Sequence, residues 1–297
     1  MNHKIAVLIC ALACLLTTGC REERAVLDKG NAVYYWRTDL RLDSAERAFL
    51  SIYNINKVYC RYFDVVMRES GEGSEESGEI EPVPNATITF SDSLPAGIEM
   101  VPTVYITIDC LQKPHKGLAA KLVNRIRQMN ETNGISGVKE IQIDHDYTAR
   151  NKNIYYQFLQ EVKQAWGGPL STTIRLHQLA MEAPPADYGV LMIYNTGDPQ
   201  KFMERNPILD IRDVAPYTKR LDGYPLPLAA AYPVYQWVRN IHGVRIEHTV
   251  EAEEILRVKK TVEKSRPDLS RSIITYHLDK ENINRYKPET YEEIYHH

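Results

Sequence analysis

The residues best suited to chemistry lie in Glu140-Ile-Gln-Ile-Asp-His-Asp-Tyr147, an alternating apolar and polar stretch that ends in two acids. A strand has a period of two, so Gln142, Asp144 and Asp146 share one face while Ile141, Ile143 and His145 share the other. Adjacent same-side Cβ atoms stand roughly 7 Å apart, and two carboxylates at that distance raise one pKa and leave one acid protonated near neutral pH. A protonated acid beside an ionised one can donate a proton to a glycosidic oxygen while its partner stabilises positive charge on the sugar. The competing structural explanation is a pair of acids held by arginines in an ion-pair network.

A second polar face follows in Thr172-Thr-Ile-Arg-Leu-His-Gln-Leu179, where Thr173, Arg175 and His177 fall on one side. Placed beside the acids, Arg175 would hold Asp144 ionised and His177 would bond a sugar hydroxyl. Trp36 and Arg37 close the first strand-like run, Arg61 and Asp64 end the second, Asp109 follows the third, Tyr194-Asn195 ends the sixth and Tyr276-His277 ends the last, and a barrel would place each near the same rim. Trp36, Tyr232, Tyr235 and Trp237 offer faces for sugar C–H groups, although large aromatics near strand ends also fill core volume.

Eight strand-like runs carry these residues: Ala32 to Thr38, Lys57 to Met67, Val101 to Ile108, Glu140 to Tyr147, Ser171 to Leu179, Gly189 to Tyr194, Leu226 to Trp237 and Ser272 to His277. Ala86 to Phe90 reads as a short extra strand. Helical spacing recurs from Ser44 to Tyr53 behind an Asp43 cap, from Gly117 to Asn130, from Ile154 to Trp166 and from Ala252 to Lys264. The alternation predicts an α/β fold with parallel strands, a (β/α)8 TIM-like barrel or a doubly wound sheet. The barrel is favoured because polar residues recur at the C-terminal ends of several strands, and Arg37-Thr-Asp-Leu40 is no glycine-rich phosphate turn. Between the fifth and sixth strands, Pro184-Pro185 and a short link predict an irregular crossover without a full helix.

The fourth-strand segment Ile143-Asp-His-Asp-Tyr147 resembles the motif of family 18 chitinases and related glycosidase barrels, which ends Asp-x-Asp-x-Glu-Tyr. The following Tyr155-Tyr-Gln-Phe-Leu159 and Val162 resemble the helix after that motif. Gln142 stands where the family has its first Asp, Asp144 where it has the second, and Asp146 where it has the acid Glu. The resemblance covers about one strand and one helix. It implies Asp146 as general acid, Asp144 as its charge partner, Tyr147, Arg175 and His177 as substrate-positioning groups, and retention assisted by a substrate acetamido group. The Glu-to-Asp and Asp-to-Gln departures leave a second expectation open, a non-catalytic barrel that binds a glycan or a partner protein.

The N-terminus reads as an address. Ile5 to Leu16 is apolar but short for a spanning helix, and Leu16-Thr-Thr-Gly-Cys20 resembles a bacterial lipoprotein signal that lipidates Cys20; an ordinary secretory signal with an incidental cysteine is the alternative. Arg21-Glu-Glu23 resembles the acidic tract that directs some Bacteroidetes lipoproteins to the outer surface. The expected layout is a signal over residues 1–19, a tether over 20–30 and one barrel domain over 31–297, anchored to the outer membrane on its periplasmic or outer side. An acidic Gly/Ser/Glu loop near residues 69–82 is expected to be mobile.

Without residues 1–19, which hold Lys4 and no acid, 35 basic residues face 39 acidic ones. Such a balance does not suit nucleic acid, whose phosphates call for clustered Lys and Arg. Glycan or polysaccharide is the expected partner, with the membrane reached through Cys20. No metal or cofactor is expected, since Cys-x-x-Cys and His-Glu-x-x-His are missing, as is Gly-x-Ser-x-Gly. Cys60 and Cys110 lie in apolar runs, and the sequence leaves open whether they pair.

Overall fold

A computed structural model describes residues 25–69, 80–197, 205–241 and 244–297. The signal, Cys20 and most of the tether lie outside the described residues. The chain opens with β1 (Gly30–Tyr35) and β2 (Asp39–Leu40), then α1 (Ser44–Ile52). β3 (Ile55–Glu69), β4 (Ile80–Asn85), β5 (Thr89–Phe90) and β6 (Glu99–Ile106) precede α2 (Leu118–Thr132) and β7 (Ile141–Asp144). After α3 (Lys152–Trp166) come β8 (Leu170–Arg175), β9 (Tyr188–Met192), α4 (Ile211–Leu221) and β10 (Leu228–Pro233). The hairpin β11 (Trp237–Ile241) and β12 (Val244–His248) leads to α5 (Ala252–Ser265), β13 (Ser272–Tyr276), α6 (Lys280–Ile283) and α7 (Pro288–Ile294).

Eight strands run parallel in the order β1, β3, β6, β7, β8, β9, β10, β13, and β13 pairs back onto β1. The sheet is thus a closed α/β barrel of the (β/α)8 type, as the alternation predicts. The eight expected runs are its eight strands. Between β8 and β9 only a 3-10 turn, Leu176–Ala180, replaces the crossover helix, which is the predicted irregularity.

Other expectations shift. Glu69 and residues 80–82, at the ends of the segment read as an acidic loop, are strand: β3 continues to Glu69 and β4 pairs antiparallel with it. Residues 70–79 lie outside the described residues. Helix α4 is missed by the sequence reading because Pro216 interrupts its pattern, yet Asp210 caps it by accepting from the Arg212 amide. The Asp43 cap of α1 forms as expected, with Glu46 returning its side chain to the Asp43 amide at 2.8 Å. Cys60 and Cys110 are both buried and unpaired. Among the described residues no helix is long and apolar enough to cross a membrane.

Two apolar layers result. The larger packs the helices against the outer face of the barrel, and the smaller fills the lumen with Ala32, Tyr34, Tyr59, Val101, Val190, Met192, Tyr194 and their neighbours. The lumen also holds a buried polar chain toward the N-terminal end. Lys57 Nζ meets Glu140 Oε2 at 2.7 Å, Ser171 and Tyr188 each donate to Glu140 Oε1 at 2.5 Å, and Gln142 accepts from Tyr34 at 2.8 Å. Every polar group in that chain has a partner, which is what makes its burial tolerable.

Candidate active site at the barrel mouth

Strand parity carries Gln142, Asp144 and Asp146 inward, as the alternation predicts, but β7 ends at Asp144 and Asp146 lies in the turn beyond it. That turn is pinned from both sides. His145 points outward, its Nδ1 2.8 Å from the Ile106 carbonyl and its Nε2 3.1 Å from Asn151 Nδ2, an arrangement that suits a neutral ring donating through Nδ1. Burial lowers its pKa accordingly. Gln178 joins the ends of β7 and β8: its amide nitrogen donates to the Tyr147 carbonyl at 2.9 Å and its oxygen accepts from the Arg175 amide at 2.8 Å.

These anchors set Asp146 against Arg175, with Nε 2.5 Å from Oδ1. The expectation that Arg175 would take Asp144 is therefore corrected. Asp144 sits deeper, only 3% exposed, and accepts from Thr173 Oγ1 at 2.7 Å. Burial pushes its pKa up to about 6; Arg175 pulls the other way, while Asp146 and Asp64 add to the rise. The resemblance assigns the acid role to Asp146, which the structure pairs with Arg175. Burial opposes the charge of Arg175, but Asp146 and Asp144 outweigh it and hold the guanidinium charged.

A cleft of about 420 Å³ opens above this pair, lined by Asp146, Arg175, His177, Tyr194, Asn195 and Tyr217 among others. Asp144 does not line it. His177 reaches the cleft from the 3-10 turn after β8, exposed and outside the strand parity that was expected to place it. Tyr194 is buried, with Arg175 Cζ 5.8 Å from its ring centroid, and stacks on Tyr276 at 4.7 Å. Asn195 is exposed and accepts from the Tyr235 hydroxyl at 2.5 Å. Trp36, half-buried, packs on Tyr276 at 5.8 Å, so Trp36, Tyr276, Tyr194 and Tyr235 form a continuous aromatic roof over the lumen.

Five residues offered as site candidates face elsewhere. Tyr147 has the opposite parity to Asp146 and is fully buried in the outer layer, stacked on Tyr155 at 5.0 Å. Arg37 has the opposite parity to Trp36 and pairs with the buried Glu46 at 2.8 Å. Asp109 is tied into its own 3-10 turn through Thr107 and the Cys110 amide. Tyr232 packs in the outer core and Trp237 stands on the β11–β12 hairpin.

The sequence reading placed Arg61 and Asp64 near the rim without the bulge that joins them, and it missed Tyr105 and Tyr217. The β3–β6 register shifts between Arg61 and Phe63, so the bulge turns Asp64 inward beside Arg61, whose Nε donates to Asp64 Oδ1 at 2.8 Å. Nothing in the alternation announces that bulge. Tyr105 pairs in register with Asp64 on one side and Asp144 on the other, and its pKa is pushed up to about 12 by burial and then by Asp146 and Asp144. The parity of Val101, Thr103 and Tyr105 would have found it. Tyr217 comes from the missed α4. Among the described residues no cluster of His, Cys, Asp and Glu has the makings of a metal site.

No protein-family model matches this sequence, and no curated protein matches it. Solved structures do. A chitinase from Bacteroides thetaiotaomicron aligns over 91% of this chain and 99% of its own at TM-score 0.55 and 12% identity. A xylanase and amylase inhibitor protein aligns over 90% and 98% at 0.51 and 10%, and a GH113 β-1,4-mannanase over 91% and 98% at 0.50 and 11%. The chain therefore shares the (β/α)8 barrel fold of these proteins. At these identities the likeness is one of fold, and the neighbours include an inhibitor protein as well as hydrolases.

Proposed function

We propose that the protein is an envelope lipoprotein, anchored through Cys20, that binds a glycan in the cleft at the C-terminal mouth of its barrel without general-acid hydrolysis by Asp146. The observation that carries this reading is the ion pair between Asp146 and Arg175 on the cleft floor. A general acid must present its carboxyl to the glycosidic oxygen, and Asp146 Oδ1 instead accepts from the Arg175 guanidinium. Asp144, whose pKa burial raises to about 6, is buried away from the cleft lining. An Arg–carboxylate pair instead offers charge-assisted donors and an acceptor side by side, which neighbouring sugar hydroxyls can match. His177 and Asn195 add polar groups, and the tyrosine rings offer faces for C–H groups.

A second reading, hydrolysis of a polysaccharide, is favoured by one feature: the Asp144 carboxyl remains partly protonated near neutral pH two residues from Asp146. Titration calorimetry against a panel of bacterial and plant polysaccharides, run beside reducing-end release from the same panel, separates the two. Binding without release, weakened tenfold or more in Asp146→Asn, is the expected result. Release that Asp146→Asn abolishes would establish the enzyme and refute the binding-only reading.

A further inference from the structure

The path of the chain into β1 decides which face of the barrel looks toward an anchoring membrane. β1 begins at the N-terminal end of the barrel, opposite the cleft. The Gly30 amide donates to the Arg271 carbonyl at 2.9 Å, and Arg271 Nε donates to the Leu27 carbonyl at 2.7 Å. Leu27 packs onto the lumen cluster that Trp36, Tyr235 and Tyr276 cover at the mouth. From Leu27 onward the chain is thus fixed to the N-terminal face.

Only seven residue steps separate Leu27 from Cys20, a span of at most about 25 Å when fully extended. A folded body of this length has a radius of gyration of about 18 Å, hence a radius of about 24 Å. If the body touches the bilayer, a leash of that length lets it roll by roughly a right angle and no further. The pole opposite Leu27 then stays about one radius above the lipid.

Resting on lipidation at Cys20 and on the glycan reading above, we infer that the N-terminal face of the barrel is the membrane-facing surface and that the cleft takes a glycan arriving from the far side, not the headgroup of a glycolipid in the anchoring bilayer. The short leash and the Leu27 seat act together. Loosening either would let the mouth swing down.

The test uses the full lipidated chain in vesicles whose headgroups carry a nitroxide quencher. A fluorophore is placed at Lys139→Cys, exposed before β7 on the N-terminal face, or at Arg150→Cys, exposed in the turn after β7 on the mouth side. Cys60 and Cys110 are buried and do not compete for label. The expected result is quenching at position 139 at least twice that at 150. Inserting twenty Gly/Ser residues between Arg24 and Ala25 is expected to bring quenching onto the label at 150. Equal quenching at both positions on the native tether, an unquenched 150 label on the long one, or an intact mass showing Cys20 unmodified would each overturn the proposal. Soluble-glycan binding is measured separately, so loss of binding with the labels behaving as expected would refute the glycan half alone.

Discussion

Replacing Asp144 by asparagine should make the protein more stable at neutral pH and leave it nearly unchanged in acid. The carboxyl is buried and its folded-state pKa is about 6, against 3.8 when free. Between those values the folded protein holds a proton that the unfolded chain has released. The stabilisation from that proton is fully present below about pH 4 and is lost as pH rises through about 6. A gap of about two units corresponds to about 3 kcal/mol. Asparagine keeps an oxygen to accept from Thr173 and carries no charge to desolvate, so the variant escapes this loss. Measured by urea unfolding at pH 4 and at pH 7.5, the stability of Asp144→Asn relative to wild type should rise by about 2–3 kcal/mol between the two, or about 4–5 °C in Tm. Comparing the two proteins at each pH cancels the titration of every other group that the substitution leaves undisturbed. A difference that does not change with pH would refute the reasoning, because it would mean that Asp144 titrates as a free aspartate.

Two further outcomes test the packing and the site. Arg175→Lys should weaken glycan binding about as much as Arg175→Met does, because a single ammonium replaces a planar fork that faces Asp146 and the cleft at once; recovery of wild-type affinity by lysine in calorimetry would show that charge alone suffices. Gly189→Ala should destabilise by about 1–3 kcal/mol in the same urea assay, since a Cβ there would lie 2.7 Å from Ile174 Cγ1 and 2.9 Å from Leu228 Cδ2. An unchanged midpoint would mean that these side chains yield freely.

The sequence by itself determined the alternation of strands and helices, the helix-free crossover after β8 and the shared face of Asp144 and Asp146. Those features are local: a period of two, a period of 3.6, a proline pair and a cap can be read within one segment. Tertiary structure alone decided which carboxylate Arg175 meets, because that choice depends on how β7 and β8 are staggered and on Gln178 joining their ends. It decided that the β3 bulge turns Asp64 inward and that His177, past the end of its strand, still reaches the cleft. It also decided that α3 covers Tyr147, whose outward parity was legible but whose partner was not. Contacts between segments follow from register and closure, and residue spacing within one segment carries no record of the stagger of the next.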